Sequence, residues 1–233
     1  MSDTRTEEFL DLYRRLEVAA GAVMGTNGRG SPVFRLEKHP DYAAFGEQLD
    51  SIREVRNFLS HEPKIDGEYA IHPSESMIRT LRTILERVEN PPRVADRMTP
   101  VEKLLTARRD TAVLPLMTEM EQRHISHVPI LESRFVDSVF SVSTVFQAAL
   151  GGMRSLGPDT RVENFARWLP LDRHMGQDFR FVDPDMLLRE ARNLFDKAYS
   201  RNRKLKLLLV TENARPDRPL LGVLSPYDLL NQD

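Results

Sequence analysis

After residue 93 this 233-residue chain shows one order of helix and strand signals twice, and that repetition constrains its fold more than any other feature. β-rich runs at Val128–Leu131, Phe135–Val142, Leu205–Thr211 and Leu220–Leu224 alternate with short helical stretches, a spacing that implies α/β units. The first unit opens with RVADRM (Arg93–Met98) and passes through the helical run Asp110–Arg123. It then reaches HVPILE (His127–Glu132) and Ser138–Phe146. The second runs from Phe179–Pro184 through the helix Met186–Tyr199 and the strand Leu205–Glu212, ending in GVLSPYDLL (Gly222–Leu230). A connector from about Gly151 to Gln177 separates them. Such internal repetition is the first property to read in a chain of this kind.

Residues 1–90 carry helical spacing instead. Thr4 and Glu7 have the separation of a capping box, and Phe9, Leu12, Tyr13, Leu16, Ala20, Val23 and Met24 follow on one face, with Gly25 as a stop. The stretch Gly25–Pro32 (GTNGRGSP) reads as a loop, because it lacks the Gly-Lys-Ser/Thr ending of a phosphate cradle. A second helix is expected from about Pro40 and Asp41, burying Tyr42, Phe45, Leu49, Ile52, Val55 and Leu59. Asp66-Gly67 marks a turn. Ser74 can cap a third helix through Met77, Leu81, Ile84, Leu85 and Val88, and Asn90-Pro91-Pro92 places the domain boundary.

The net charge of −2 leaves no global field to recruit nucleic acid or an anionic membrane. Residues 1–90 hold 12 Lys and Arg against 16 Asp and Glu, a net of −4, so residues 91–233 come to +2. The absence of cysteine excludes disulfides and thiolate catalysis. The polar opening MSDTRTEEFL lacks the regions of a signal peptide, and the weakly charged run near Phe135–Met153 is too short and polar to span a bilayer. A cytoplasmic protein without membrane contact is the default expectation.

GVLSPYDLL has a chemistry of its own. Ser225 and Asp228, three apart, fall near one helix N-terminus, where a hydroxyl and backbone N–H groups suit a phosphate. A carboxylate there can accept two hydrogen bonds from ribose hydroxyls. With VADRM and SHVPILE, this ending resembles the CBS domain family over about residues 94–231. The resemblance implies a Bateman-type pair: a first module at 94–150, the connector at 151–177 and a second module at 178–231. It further implies an adenine nucleotide (AMP, ADP or ATP) or S-adenosylmethionine as regulatory ligand, held by Ser225 and Asp228, with no cofactor required. In the first module Ser141 keeps the hydroxyl but Ser138 replaces the glycine and Thr144 the carboxylate, so that half is expected to be empty or weak. The second module lacks the proline that the first has at Pro129, with Leu207-Leu208 in its place.

In the helical part, Arg56-Asn57 followed by His61 resembles the signature of HEPN domains, small helical bundles of which many are RNases. His61 is suited to proton transfer, Arg56 to bidentate phosphate contacts and Asn57 to positioning. Arg56 and His61 lie about 140° apart on an ideal helix, so the resemblance implies a homodimer that brings two copies of each into one cleft. The acidic balance counts against general RNA binding, although Arg53, Arg56, Arg79 and Arg82 form a candidate local patch. His124 and His127 lack a third ligand, so no metal site is expected, and Trp168 with Phe165 and Leu169 is read as connector packing.

The expected architecture is therefore an α+β two-domain chain: an all-α bundle over 1–90 and a CBS pair over 93–233. The expected function is a nucleotide-sensing regulator whose helical domain is a metal-independent endoribonuclease of the toxin or defence type. The alternative is a non-enzymatic sensor or dimerisation protein acting through a protein partner.

Overall fold

The break at Asn90-Pro91-Pro92 divides the chain as its composition implies. The computed structural model describes residues 2–25, 30–64, 66–174, 177–200 and 204–230, in two units, 1–92 and 93–233. The loop expected over 25–32 falls partly on residues 26–29, which lie outside the described residues, as do the last three.

The first unit holds helices α1 (Ser2–Met24), α2 (Pro32–Glu37), α3 (Gly46–His61) and α4 (Glu75–Glu89). Their apolar faces meet in one core around Phe9, Tyr13, Leu16, Leu49, Ile52, Leu81 and Ile84. Ser74 Oγ accepts from Met77 N at 3.2 Å, and Gly25 ends α1 with φ 61°, a left-handed conformation open to glycine. Three expectations change. Because α1 begins at Ser2, Thr4 is already helical and is no N-cap. The second expected helix begins at Gly46, preceded by a 3-10 turn over Pro40–Phe45 that His39 caps. The short α2 was not legible, since its six residues span less than two turns of periodicity.

One ion cluster fastens α2 to α3. Glu37 is buried, Arg53 Nε donates to Glu37 Oε2 at 3.3 Å, and Lys38 pairs with its other oxygen. Burial alone pushes the Glu37 carboxyl up, yet the Lys38 and Arg53 cations together hold it below the usual carboxylate range.

The second unit is built from two interleaved copies of one motif. The first supplies β1 (Thr99–Pro100), α5 (Val113–Gln122), β2 (His127–Glu132), β3 (Phe135–Ser141) and α6 (Val142–Leu150). The second supplies β4 (Gln177–Val182), α7 (Leu188–Ser200), β5 (Lys204–Thr211) and β6 (Leu220–Leu224). Hairpin β2–β3 pairs Val128 with Phe140, as β5–β6 pairs Leu208 with Leu224. Each hairpin carries a register shift at the matching place, Ile130/Leu131 and Val210/Thr211. That register sets Leu209, not Leu207 or Leu208, opposite the role of Pro129.

The opening arm of each copy is bound to the other copy. Val94 N and Ala95 N donate to Met186 O and Pro184 O, while Val162 N and Glu163 N donate to Thr111 O and Arg109 O. The connector thus contains a second arm: Arg161-Val-Glu-Asn164 repeats Arg93-Val-Ala-Asp96, each a capping box with a fully buried valine. Trp168 packs on Phe165 at 6.5 Å between ring centroids, as expected for connector packing. The first arm goes on to form β1, which pairs antiparallel with β6 and completes a sheet of order β1-β6-β5-β4. Glycine at 222 permits this, because a Cβ there would lie 2.5 Å from Thr99 O and 2.9 Å from Met98 Sδ. In the first copy the corresponding residue is Ser138, and the second arm meets β3 where Val139 N donates to Leu169 O at 3.4 Å.

Two outcomes are expected. Glu37→Gln costs about 1–3 kcal/mol at pH 7 in urea unfolding. Since the folded carboxyl titrates low, that difference is full above the usual carboxylate range and shrinks as pH falls through it. Gly222→Ala forces β1 off β6 and costs about 1–3 kcal/mol, read by the same unfolding midpoint.

Candidate functional site

The arm that crosses Gly222 forms one wall of a cleft of about 420 Å³ in the second unit. Thr99, Lys103, Leu104 and Leu105 come from that arm and the residues after it. His124–His127 and Pro129 come from the corner before β2 and from β2 itself, and Leu205, Lys206 and Leu207 from β5. Val223 and the turn Ser225–Asp228 close the end. Apolar strand residues thus line the floor, and the polar groups gather where the chain leaves the strands.

The turn at the closed end is a capping box. Asp228 Oδ2 accepts from Ser225 N at 2.6 Å and from Ser225 Oγ at 2.7 Å. At the helix N-terminus expected from sequence it caps a 3-10 turn of four described residues, Pro226–Leu229, so a helix dipole adds little there. The cap fixes the carboxylate and leaves Asp228 Oδ1 without a partner among the described residues. A fixed carboxylate oxygen at the cleft wall is an acceptor for hydroxyl donors. Tyr227 stands beside it, 78% exposed.

Ser141 and Thr144 take the equivalent place in the first copy and differ in every respect that matters to a ligand. Both are buried, Thr144 N donates to Ser141 Oγ at 3.2 Å, and Ser141 N donates to Thr144 Oγ1 at 3.1 Å. Their hydrogen-bonding capacity is spent within the turn, on each other and on Ser143 Oγ, 2.9 Å from Ser141 Oγ. Nearby, the second arm brings in His174, which is buried, lies 3.1 Å by Nε2 from Leu169 O and packs edge-on to Phe179 at 4.9 Å. Burial holds this imidazole below the usual histidine range, so it is neutral and satisfies the carbonyl with its Nε2 proton. Of the four expected ligand residues, the structure brings Ser225 and Asp228 to the cleft; Ser141 and Thr144 are not on its lining.

Sequence reasoning missed the arm residues Thr99–Leu105 as part of the site, because a two-residue strand leaves no periodic trace. It also set His124 and His127 aside once a metal was excluded. Both line the cleft, and no group of three or more metal-ligating side chains occurs among the described residues.

In the first unit, Arg56 and Asn57 lie in the second half of α3 and His61 is its last residue, exposed. Arg56 Nη1 donates to Asn57 Oδ1 at 3.3 Å, and Nη2 donates to Glu17 Oε1 at 3.3 Å. The guanidinium also sits 5.2 Å from the centroid of the Tyr13 ring. The expected arginine patch is neutralised: Arg53 meets Glu37 and Asp50, Arg56 meets Glu17, Arg79 meets Glu75 and Arg82 meets Glu8. No helix among the described residues is long and apolar enough to cross a membrane.

No protein-family model matches the sequence, and no curated protein does. Solved structures do match. AcuB from Vibrio cholerae is 21% identical, with 60% of this chain and 87% of that one covered and a TM-score of 0.46. A CBS domain-containing protein of unknown function from Bacillus anthracis is 14% identical, with coverages of 60% and 91% and a TM-score of 0.44. CBSX2, solved in complex with AMP, is 16% identical, with coverages of 59% and 92% and a TM-score of 0.42.

Proposed function

We propose that this chain is a regulatory protein whose second unit is a CBS pair that binds an adenine nucleotide, one per chain, in the cleft closed by Ser225 and Asp228. The observation that carries the reading is the fixed, half-satisfied carboxylate of Asp228 at the end of an apolar-floored cleft. Apolar walls suit a base and the free Asp228 oxygen suits a ribose hydroxyl, while Ser225 Oγ, which donates to Asp228, serves the α-phosphate by exchanging that bond for it. Ser141 and Thr144 are proposed as the remnant of a second site whose polar groups now serve only the fold.

The regulated element is the helical unit, acting as a homodimer. We read it as HEPN-like, with Arg56, Asn57 and His61 cleaving RNA without a metal. The exposure of His61 at the end of α3 and the direct Arg56–Asn57 bond favour this reading. The Glu17 pair must open before Arg56 can serve a phosphate. The rival, a sensor that acts through a protein partner, requires no such opening and is favoured by the neutralised arginines.

Two measurements test these readings. AMP, ADP, ATP and S-adenosylmethionine are screened by thermal shift. A ligand at one hundred times its Kd stabilises by about 2.7 kcal/mol, and Asp228→Ala abolishes that shift while lowering the ligand-free midpoint only by the loss of a cap, about 1 kcal/mol. No shift with any of the four overturns nucleotide sensing. RNA is then incubated in EDTA: the enzymatic reading expects cleavage that disappears in His61→Ala. RNA left intact by a folded dimer, with and without the nucleotide, decides for the partner-binding sensor.

A further inference from the structure

Apart from Asp228 and the phenol of Tyr227, the ionisable side chains on the cleft lining are basic: Lys103, Lys206, His124 and His127. Neither Lys103 nor Lys206 pairs with a carboxylate among the described residues, whereas Arg56, Arg109 and Arg215 are each held in an ion pair. The two lysines come from different walls, one following β1 and one on β5. The one acid has an oxygen committed to Ser225. The cleft therefore carries an excess of positive charge that a single ribose-binding carboxylate does not offset.

The two copies differ here as well. Ala107 bridges Ile130 as Val182 pairs with Val210, and counting back four residues from each sets Asp178 in the place of Lys103. The excess of cations is thus a property of this cleft and not of the motif.

Resting on the nucleotide reading above, we infer that the cleft selects a nucleotide with a di- or triphosphate, the phosphates beyond the first being held between Lys103 and Lys206. A monophosphate engages the Ser225 end and leaves these ammonium groups short of counter-charge. S-adenosylmethionine, with a cationic sulfonium in the place of the phosphates, meets like charge. Lysine suits this role because its flexible stem brings a point charge to phosphates without demanding one geometry. His124 and His127 line the same cleft, and Ser126 Oγ lies 2.7 Å from His127 Nδ1.

The test is calorimetric titration of the full chain with AMP, ADP, ATP and inorganic tripolyphosphate at pH 7.5, in 0.05 and 0.2 M salt. ADP or ATP is expected to bind about tenfold or more tightly than AMP, a difference of about 1.4 kcal/mol, and to lose affinity more steeply with salt. The double variant Lys103→Met with Lys206→Met is expected to keep the wild-type melting midpoint and AMP affinity while ADP falls to the AMP value. Equal affinity of AMP and ADP in the wild type overturns the inference, and so does a preference that survives the double variant. Lysine-dependent tripolyphosphate binding without any nucleotide binding upholds the clamp and overturns the nucleotide reading instead. Binding of nothing overturns both.

Discussion

The second unit depends on a close approach of two backbones. The arm before β1 lies across β6 so tightly that Gly222 has no room for a side chain. From that contact follow the pairing of β1 with β6, the position of Thr99 and Lys103, and hence one wall of the cleft. The first copy lacks it. With Ser138 in the glycine's place, the second arm meets β3 where Val139 N donates to Leu169 O. His174 then packs beside that arm.

Most of the elements were legible in the sequence because each carries its own local signal. The strands β2, β3, β5 and β6 sit within about a residue of the apolar runs, and Ser74 caps α4 as its spacing implies. The second arm was not legible. Arg93 precedes the Thr99-Pro100 pair by six positions, whereas Arg161 precedes Leu169-Pro170 by eight, so the two arms do not align without a gap. The site was legible in half. Ser225 and Asp228 lie in one short motif, but Lys103 and Lys206 are brought together only by the sheet, and no spacing rule anticipates a contact across a hundred residues of chain.

Charge tells a different story in the two units. In the helical unit two of the arginines on α3 and α4 have local acids: Asp50 is three residues from Arg53 and Glu75 four from Arg79. Such pairs are readable from sequence, and they explain how an arginine-bearing surface can remain unattractive to phosphate. In the cleft neither Lys103 nor Lys206 is in an ion pair among the described residues, so their charge remains available. A count of net charge per domain misses this distinction, since −4 and +2 say nothing about which cations are already satisfied.

The exchanged arms also bear on how the second unit comes into being. Arg93 donates to the Asp185 carbonyl, 92 positions away, and the matching bonds of Val94 and Ala95 reach as far. The partners of the first arm at Pro184–Met186 are synthesised long after the arm itself. During translation the first copy must therefore wait, with a fully buried valine of the final structure still in water, for its complement to emerge. Two modules that look separable on paper thus acquire their stability together, and neither copy keeps its own arm when the other is removed.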